Sequence, residues 1–162
     1  MPTKRGFMGE MSIVHGRITL RGNHAKARAA IAALGNDAEY PWLRAEMFSI
    51  GAAVSPFYYE NPVIAFAATY KSIEHDWTAF VQKFEDLLRQ IDFDTVSVEL
   101  ETEFYGTVNF FWAAKPFNNA TDEFIEIPHW YFAFGHRTQF GALAENRTEA
   151  LLDFVYPVPL KT

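Results

Sequence analysis

Between Thr95 and Phe104 apolar and polar residues alternate without a break, Thr-Val-Ser-Val-Glu-Leu-Glu-Thr-Glu-Phe. Successive side chains of a strand point to opposite faces, so this pattern demands a half-buried β-strand. Val96, Val98, Leu100 and Phe104 belong to one face, with Thr102 in register; Ser97, Glu99, Glu101 and Glu103 belong to the other. The carboxylates are then spaced about 7 Å apart along one strand face, from a rise of roughly 3.3 Å per residue. A chain with such a strand must cover one face of a sheet and leave the other to water or to a partner.

Cover is available on either side of it. Trp77, Phe80, Val81, Phe84, Leu87, Leu88 and Ile91 recur at spacings of three and four, which predicts a strong amphipathic helix, with Ser72 as its N-cap. An alanine-rich segment from about His24 to Leu34 predicts an earlier helix, capped by Asn23 and stopped at Gly35. Strands are expected at Ser12–Arg21, Ala45–Phe57 with a bulge at Gly51, and Val63–Tyr70. A turn at Tyr105-Gly106-Thr107 leads to a strand over Val108–Ala114. Glu123–Phe134 reads as one strand, with Pro128 at an edge or bulge, and a helix follows over Gly141–Phe154.

Strand, helix, strand, strand, helix, strand is the order of the ferredoxin-like split βαβ core. The expected class is therefore α+β, an antiparallel sheet with two helices on one face, plus C-terminal strands and a helix. Residues 1–11 read as a leader, 12–156 as one domain and 157–162 as an extended tail, in a chain of 162 residues. Ile18-Thr-Leu-Arg-Gly-Asn23 before a helix, and the second helix running into Val96–Phe110 through Gly106, together resemble the ferredoxin-like domain of a family of plasmid- and phage-borne proteins of unknown function. The resemblance covers the first two-thirds of the chain. It implies a fold and a mobile-element setting and brings no catalytic residues.

The formal net charge of −6 argues against nucleic acid or an anionic membrane as partner, since both need a basic footprint. A basic protein partner fits better. There is no cysteine, which removes disulfides, thiolate metal sites and cysteine nucleophiles and points to the cytoplasm. Lys4 and Arg5 are followed by no apolar run, so no signal peptide is read, and the sequons at Asn119 and Asn146 carry no weight. No stretch has the ~20 apolar residues of a membrane span.

Chemistry-bearing motifs are few. Glu126, His129 and His136 lack the spacing of a metal set, and His15, His24 and His75 stand near expected element ends. Paired hydrolytic carboxylates face each other across a cleft, whereas these glutamates line up along one strand. Phosphate-binding glycine loops and nucleophile elbows are absent from the sequence. No catalytic residue, metal or cofactor is assigned. The reading reached is a non-enzymatic protein-binding module of the immunity or anti-defence type. It would neutralise a partner by occlusion through Glu99, Glu101, Glu103, Tyr105 and Trp112. The hairpin partner strand offers no basic residue to the glutamates before Lys115, which favours the stripe as a real feature. The alternative is a small-molecule binder or cofactor-free enzyme with an aromatic cavity, using His129, Trp130 and His136. Either reading leaves a homodimer open.

Overall fold

The computed structural model describes residues 11–22, 24–35, 39–50, 61–103, 105–115, 125–136, 154 and 156. Asn23, Gly51, Phe104 and the expected helix over 141–153 lie outside the described residues. The elements are β1 (Met11–Leu20), α1 (Ala25–Ala32), β2 (Phe48–Ser49), β3 (Val63–Lys71), α2 (Trp77–Leu88), β4 (Phe93–Glu101), β5 (Thr107–Ala113), β6 (Ile125–Ile127) and β7 (Trp130–His136). The chain is thus α+β, and its described residues form a seven-stranded sheet in the order β2-β3-β1-β4-β5-β7-β6. Every neighbouring pair runs antiparallel.

One sheet face is apolar across its width. Register places Ile18 beside Ile64 and Val96, and Val98 beside Phe110, while Val96 meets Trp112 and Trp112 meets Phe132. Helix α2 lies on this face: Phe84 packs between Phe66 and Trp112, and Trp77 packs against Phe110. Ala27, Ala30 and Ile31 of α1 enter the same core. Alternation along the strands and the 3.6-residue period of α2 are two readings of one contact surface.

Several local details differ from expectation. Ser72 makes no capping bond and instead takes a left-handed conformation, φ 55°, leading into a short 3-10 turn over Ile73–Asp76 before α2 begins at Trp77. The cap position of α1 is His24, without a side-chain cap bond. The expected strand Ala45–Phe57 reduces, among the described residues, to Phe48–Ser49 after a 3-10 turn at Ala45–Met47. Glu123–Phe134 is not one strand: a two-residue turn, Pro128–His129, makes β6 and β7 a hairpin, with Ile127 opposite Trp130. Proline fixes φ at the first turn position, and His129 turns the chain back at φ 81°.

Gly16 has a steric role in mid-strand. A Cβ there would stand 2.1 Å from the Ser97 carbonyl oxygen and 2.7 Å from Cζ of Phe66. The Phe66 ring occupies the space that a side chain at position 16 would claim.

Candidate functional site

Among the described residues, the open face of the sheet mixes small and polar side chains with Ile13, Phe111 and Tyr131, and carries a charged cluster at His15. From β3 to β7 one row reads Ala65, Arg17, Ser97, Phe111, Ala133, and the next reads Ala67, His15, Glu99, Asn109, Gly135. His15, which the sequence reading placed near an element end, sits in mid-strand directly across from Glu99. Its Nε2 is 3.0 Å from Glu99 Oε2 and 3.1 Å from Glu101 Oε2. The stripe therefore has a nitrogen partner after all, supplied by β1 rather than by the hairpin strand. Glu99 is largely covered by this arrangement, with a side chain 17% exposed, whereas that of Glu101 is 46% exposed.

Glu103 leaves the stripe because β4 ends at Glu101. The Thr102 amide donates to the Gly106 carbonyl at 2.9 Å, and the Tyr105 amide donates to Thr102 Oγ1 at 2.8 Å. Gly106 takes φ 71° to close this turn, a conformation that glycine adopts at little cost. Glu103 is exposed on the turn and Tyr105 half-buried beside it. Glu101, Glu103 and Tyr105 thus form an acidic corner where the β4–β5 hairpin turns.

Trp112 is not part of this surface. It points to the helix-covered face, 1% exposed, and its Nε1 donates to Glu85 Oε2 at 2.8 Å. Its parity along β5 puts it with Phe110 and Val108 rather than with Asn109 and Phe111. The exposed tryptophan is Trp42, 45% exposed, in the loop before β2. With Met11, Met47 and Tyr70 it lines a cleft of about 740 Å³ beside the end of β3. Tyr70 Oη donates to the Trp42 carbonyl at 2.6 Å, and the two rings meet edge-on at 6.3 Å. Burial pushes the Tyr70 phenol up to about 12, so it remains a donor at physiological pH.

Register puts this cleft and the acidic corner at one end of the sheet. Met11 pairs with Lys71, Ile13 with Glu101, and Glu101 with Thr107. Strands spaced about 4.8 Å apart put β3 and β4 only ~10 Å from each other across β1. Nothing local to Trp42 or Met11 marks them as surface groups. The only sequence signal for this juxtaposition is the strand order.

The opposite end of β7 holds a second cluster. A groove of about 550 Å³ runs between α2 and the Pro128–His129 turn, and its lining includes Glu85, Arg89, His129, Trp130 and Tyr156. Tyr156 Oη reaches both carboxylate oxygens of Glu85, at 2.8 and 2.7 Å, and Trp112 supplies the third hydrogen bond. Burial raises the Glu85 carboxyl above the usual carboxylate range, and the bonds from Tyr156 and Trp112 only partly offset this. Burial and then the adjoining Glu85 raise the Tyr156 phenol. His129 and Trp130 are neighbours here, while His136 ends β7 opposite Val108. Six residues of strand, roughly 20 Å, separate His136 from them at the backbone. Sequence reasoning missed Glu85 and Tyr156, since a glutamate on an amphipathic helix ordinarily reads as solvated.

Among the described residues no three His, Asp or Glu side chains are arranged to hold a metal ion, and no helix is long and apolar enough to cross a membrane. Compared with protein-family models, curated proteins and solved structures, the chain matches none.

Proposed function

We propose that this chain is a non-enzymatic binding protein that neutralises a protein partner by occlusion, using the end of its sheet that bears both the Trp42–Met11 cleft and the Glu101–Glu103–Tyr105 corner. The observation that supports this reading is that the exposed Trp42, packed on Tyr70 near the end of β3, and the exposed carboxylate of Glu101 in β4 lie toward the same end of the sheet. Interfaces commonly take their affinity from a few aromatic anchors that become desolvated, and their association rate from complementary charge. Trp42 takes the anchor role first given to Trp112, and Glu99 serves by holding His15 rather than by meeting the partner.

The finer parts of the reading follow from it. A partner with a basic surface suits a chain of net charge −6 with its carboxylates at a corner. The unit β1–α1–β2–β3–α2–β4 is a ferredoxin-like split βαβ core, a reading supported by the strand order β4-β1-β3-β2. An immunity or anti-defence role on a mobile element, in the cytoplasm, matches an acidic chain without cysteine.

Native mass spectrometry of the chain purified from its own host at near-physiological salt tests this. A stoichiometric protein partner is expected with the wild type and is expected to be missing when Trp42→Ala is combined with Glu101→Lys and Glu103→Lys. A bare chain carrying a small-molecule mass would contradict it.

A further inference from the structure

The groove between α2 and the β6–β7 turn lies at the other end of the sheet from the acidic corner. Ala113 and Tyr131 pair at the groove end, whereas Thr107 and Glu101 pair at the corner. Three independent features make this groove more than a surface irregularity.

Its floor is a built polar site. Glu85 is 6% exposed, yet the groove reaches it, and both of its oxygens are held in place by Tyr156 and Trp112. Its rim is less acidic than the chain as a whole. Lys83 on α2 and Arg89 at its C-terminal cap supply two cations beside Glu85 and Asp86, with the His129 imidazole on the turn, in a protein of net charge −6. Arg89 forms an ion pair with Asp86 at the rim. The third feature is conformational. Pro128 followed by a residue at positive φ is a turn that ordinarily takes glycine or asparagine at its second position. His129 holds φ 81° there, exposed, beside Trp130 with ring centroids 6.0 Å apart. A strained, exposed side chain at the mouth of a cleft points to a use for that side chain.

We propose that this groove binds a small planar carboxylic acid, its carboxylate met by Arg89 and His129 and its ring lying against Pro128 and Trp130. Arginine presents a forked pair of donors that matches a carboxylate, and an imidazole N–H adds a third. The apolar wall favours a flat body over a hydrated inorganic anion. Both oxygens of Glu85 at the floor are already occupied by Tyr156 and Trp112, so the ligand's carboxylate is met at the rim. The site is independent of the protein-binding surface.

The test is a titration of the full ¹⁵N-labelled chain with three probes of one shape: benzoate, benzamide and benzamidinium. Benzoate is expected to shift the amides of residues 82–89, 129 and 130 and the Trp130 indole saturably. Benzamide should bind about tenfold more weakly, for want of charge, and benzamidinium more weakly still. Arg89→Gln should weaken benzoate about tenfold with the fold unchanged. His129→Gly should weaken it severalfold while raising the melting temperature. Glu101→Lys with Glu103→Lys should leave benzoate binding as it is. Equal affinities for benzoate and benzamide, shifts confined to other parts of the molecule, or no saturable shift would overturn the proposal. So would a His129→Gly chain that gains stability with unaltered benzoate affinity, since that is what a purely structural turn predicts.

Discussion

Two carboxylate clusters sit back to back on this sheet, and their surroundings decide what each can do. Glu85, on the sheet-facing side of α2 and 6% exposed, meets Trp112 and Tyr156, so its oxygens are needed as acceptors by two buried donors. Glu99 and Glu101 meet His15 on the open face, where solvent reaches the imidazole and Glu101 and screens the cluster. Buried polar groups that lose a partner pay the full desolvation cost, while exposed ion pairs are worth about 1 kcal/mol or less. The first cluster is therefore an internal tie between α2, β5 and residue 156. The second leaves its outer member, Glu101, open to an incoming surface.

The largest effect should come from the plane that divides the clusters. Gly16→Ala drives a Cβ into the Ser97 carbonyl and the Phe66 ring, and is expected to destabilise by about 3 kcal/mol or more in urea unfolding. A change under ~0.5 kcal/mol would show that the two faces are less rigidly separated than the register implies.

Glu85→Ala should cost about 2–4 kcal/mol, because Trp112 Nε1 and the Tyr156 hydroxyl both lose their acceptor. Its pH dependence sharpens the contrast. The folded chain binds the Glu85 proton more tightly than the unfolded chain does. That contribution is complete below the ordinary carboxylate range and is lost as pH rises through the folded value. Wild-type stability measured relative to Glu85→Gln should therefore fall with rising pH over that window. A difference that grows with pH would mean the hydrogen bonds outweigh burial.

Smaller effects are expected on the exposed side. His129→Gly should stabilise the chain by about 1 kcal/mol, read as a higher urea midpoint, through release of the left-handed strain. His15→Gln should cost less than about 1 kcal/mol in the same assay, since solvent screens the two glutamates it leaves behind. A loss as large as that at Glu85 would remove the distinction between the clusters.

How much of this was legible in the sequence follows the same divide. Local periodicity marked β4 and α2, because alternation and a 3.6-residue repeat are properties of consecutive residues, and the turn at Gly106 marked β5. Strand order is not local, and with it went His15: nothing in Ile13-Val-His-Gly-Arg17 says that β4 will lie alongside in a register opposing His15 to Glu99. Trp112 was misplaced for a related reason. In Phe110-Phe-Trp112 every residue is aromatic, so hydrophobicity cannot tell which face each takes, and parity with Val108 decides it. Pro128 was legible as a break, but not as a turn, since the residue that closes the turn is a histidine where glycine would have announced it.

The central claim is that the sheet end bearing Trp42 and the acidic corner meets a protein partner. The most direct test is the association rate of the wild-type chain and of the Glu101→Lys, Glu103→Lys chain with the partner recovered from the host, over a series of salt concentrations. The account predicts a wild-type rate that falls steeply with salt, and a variant rate that is slower at low salt and nearly flat. Equal rates with equal salt dependence would contradict it and remove the corner from the interface.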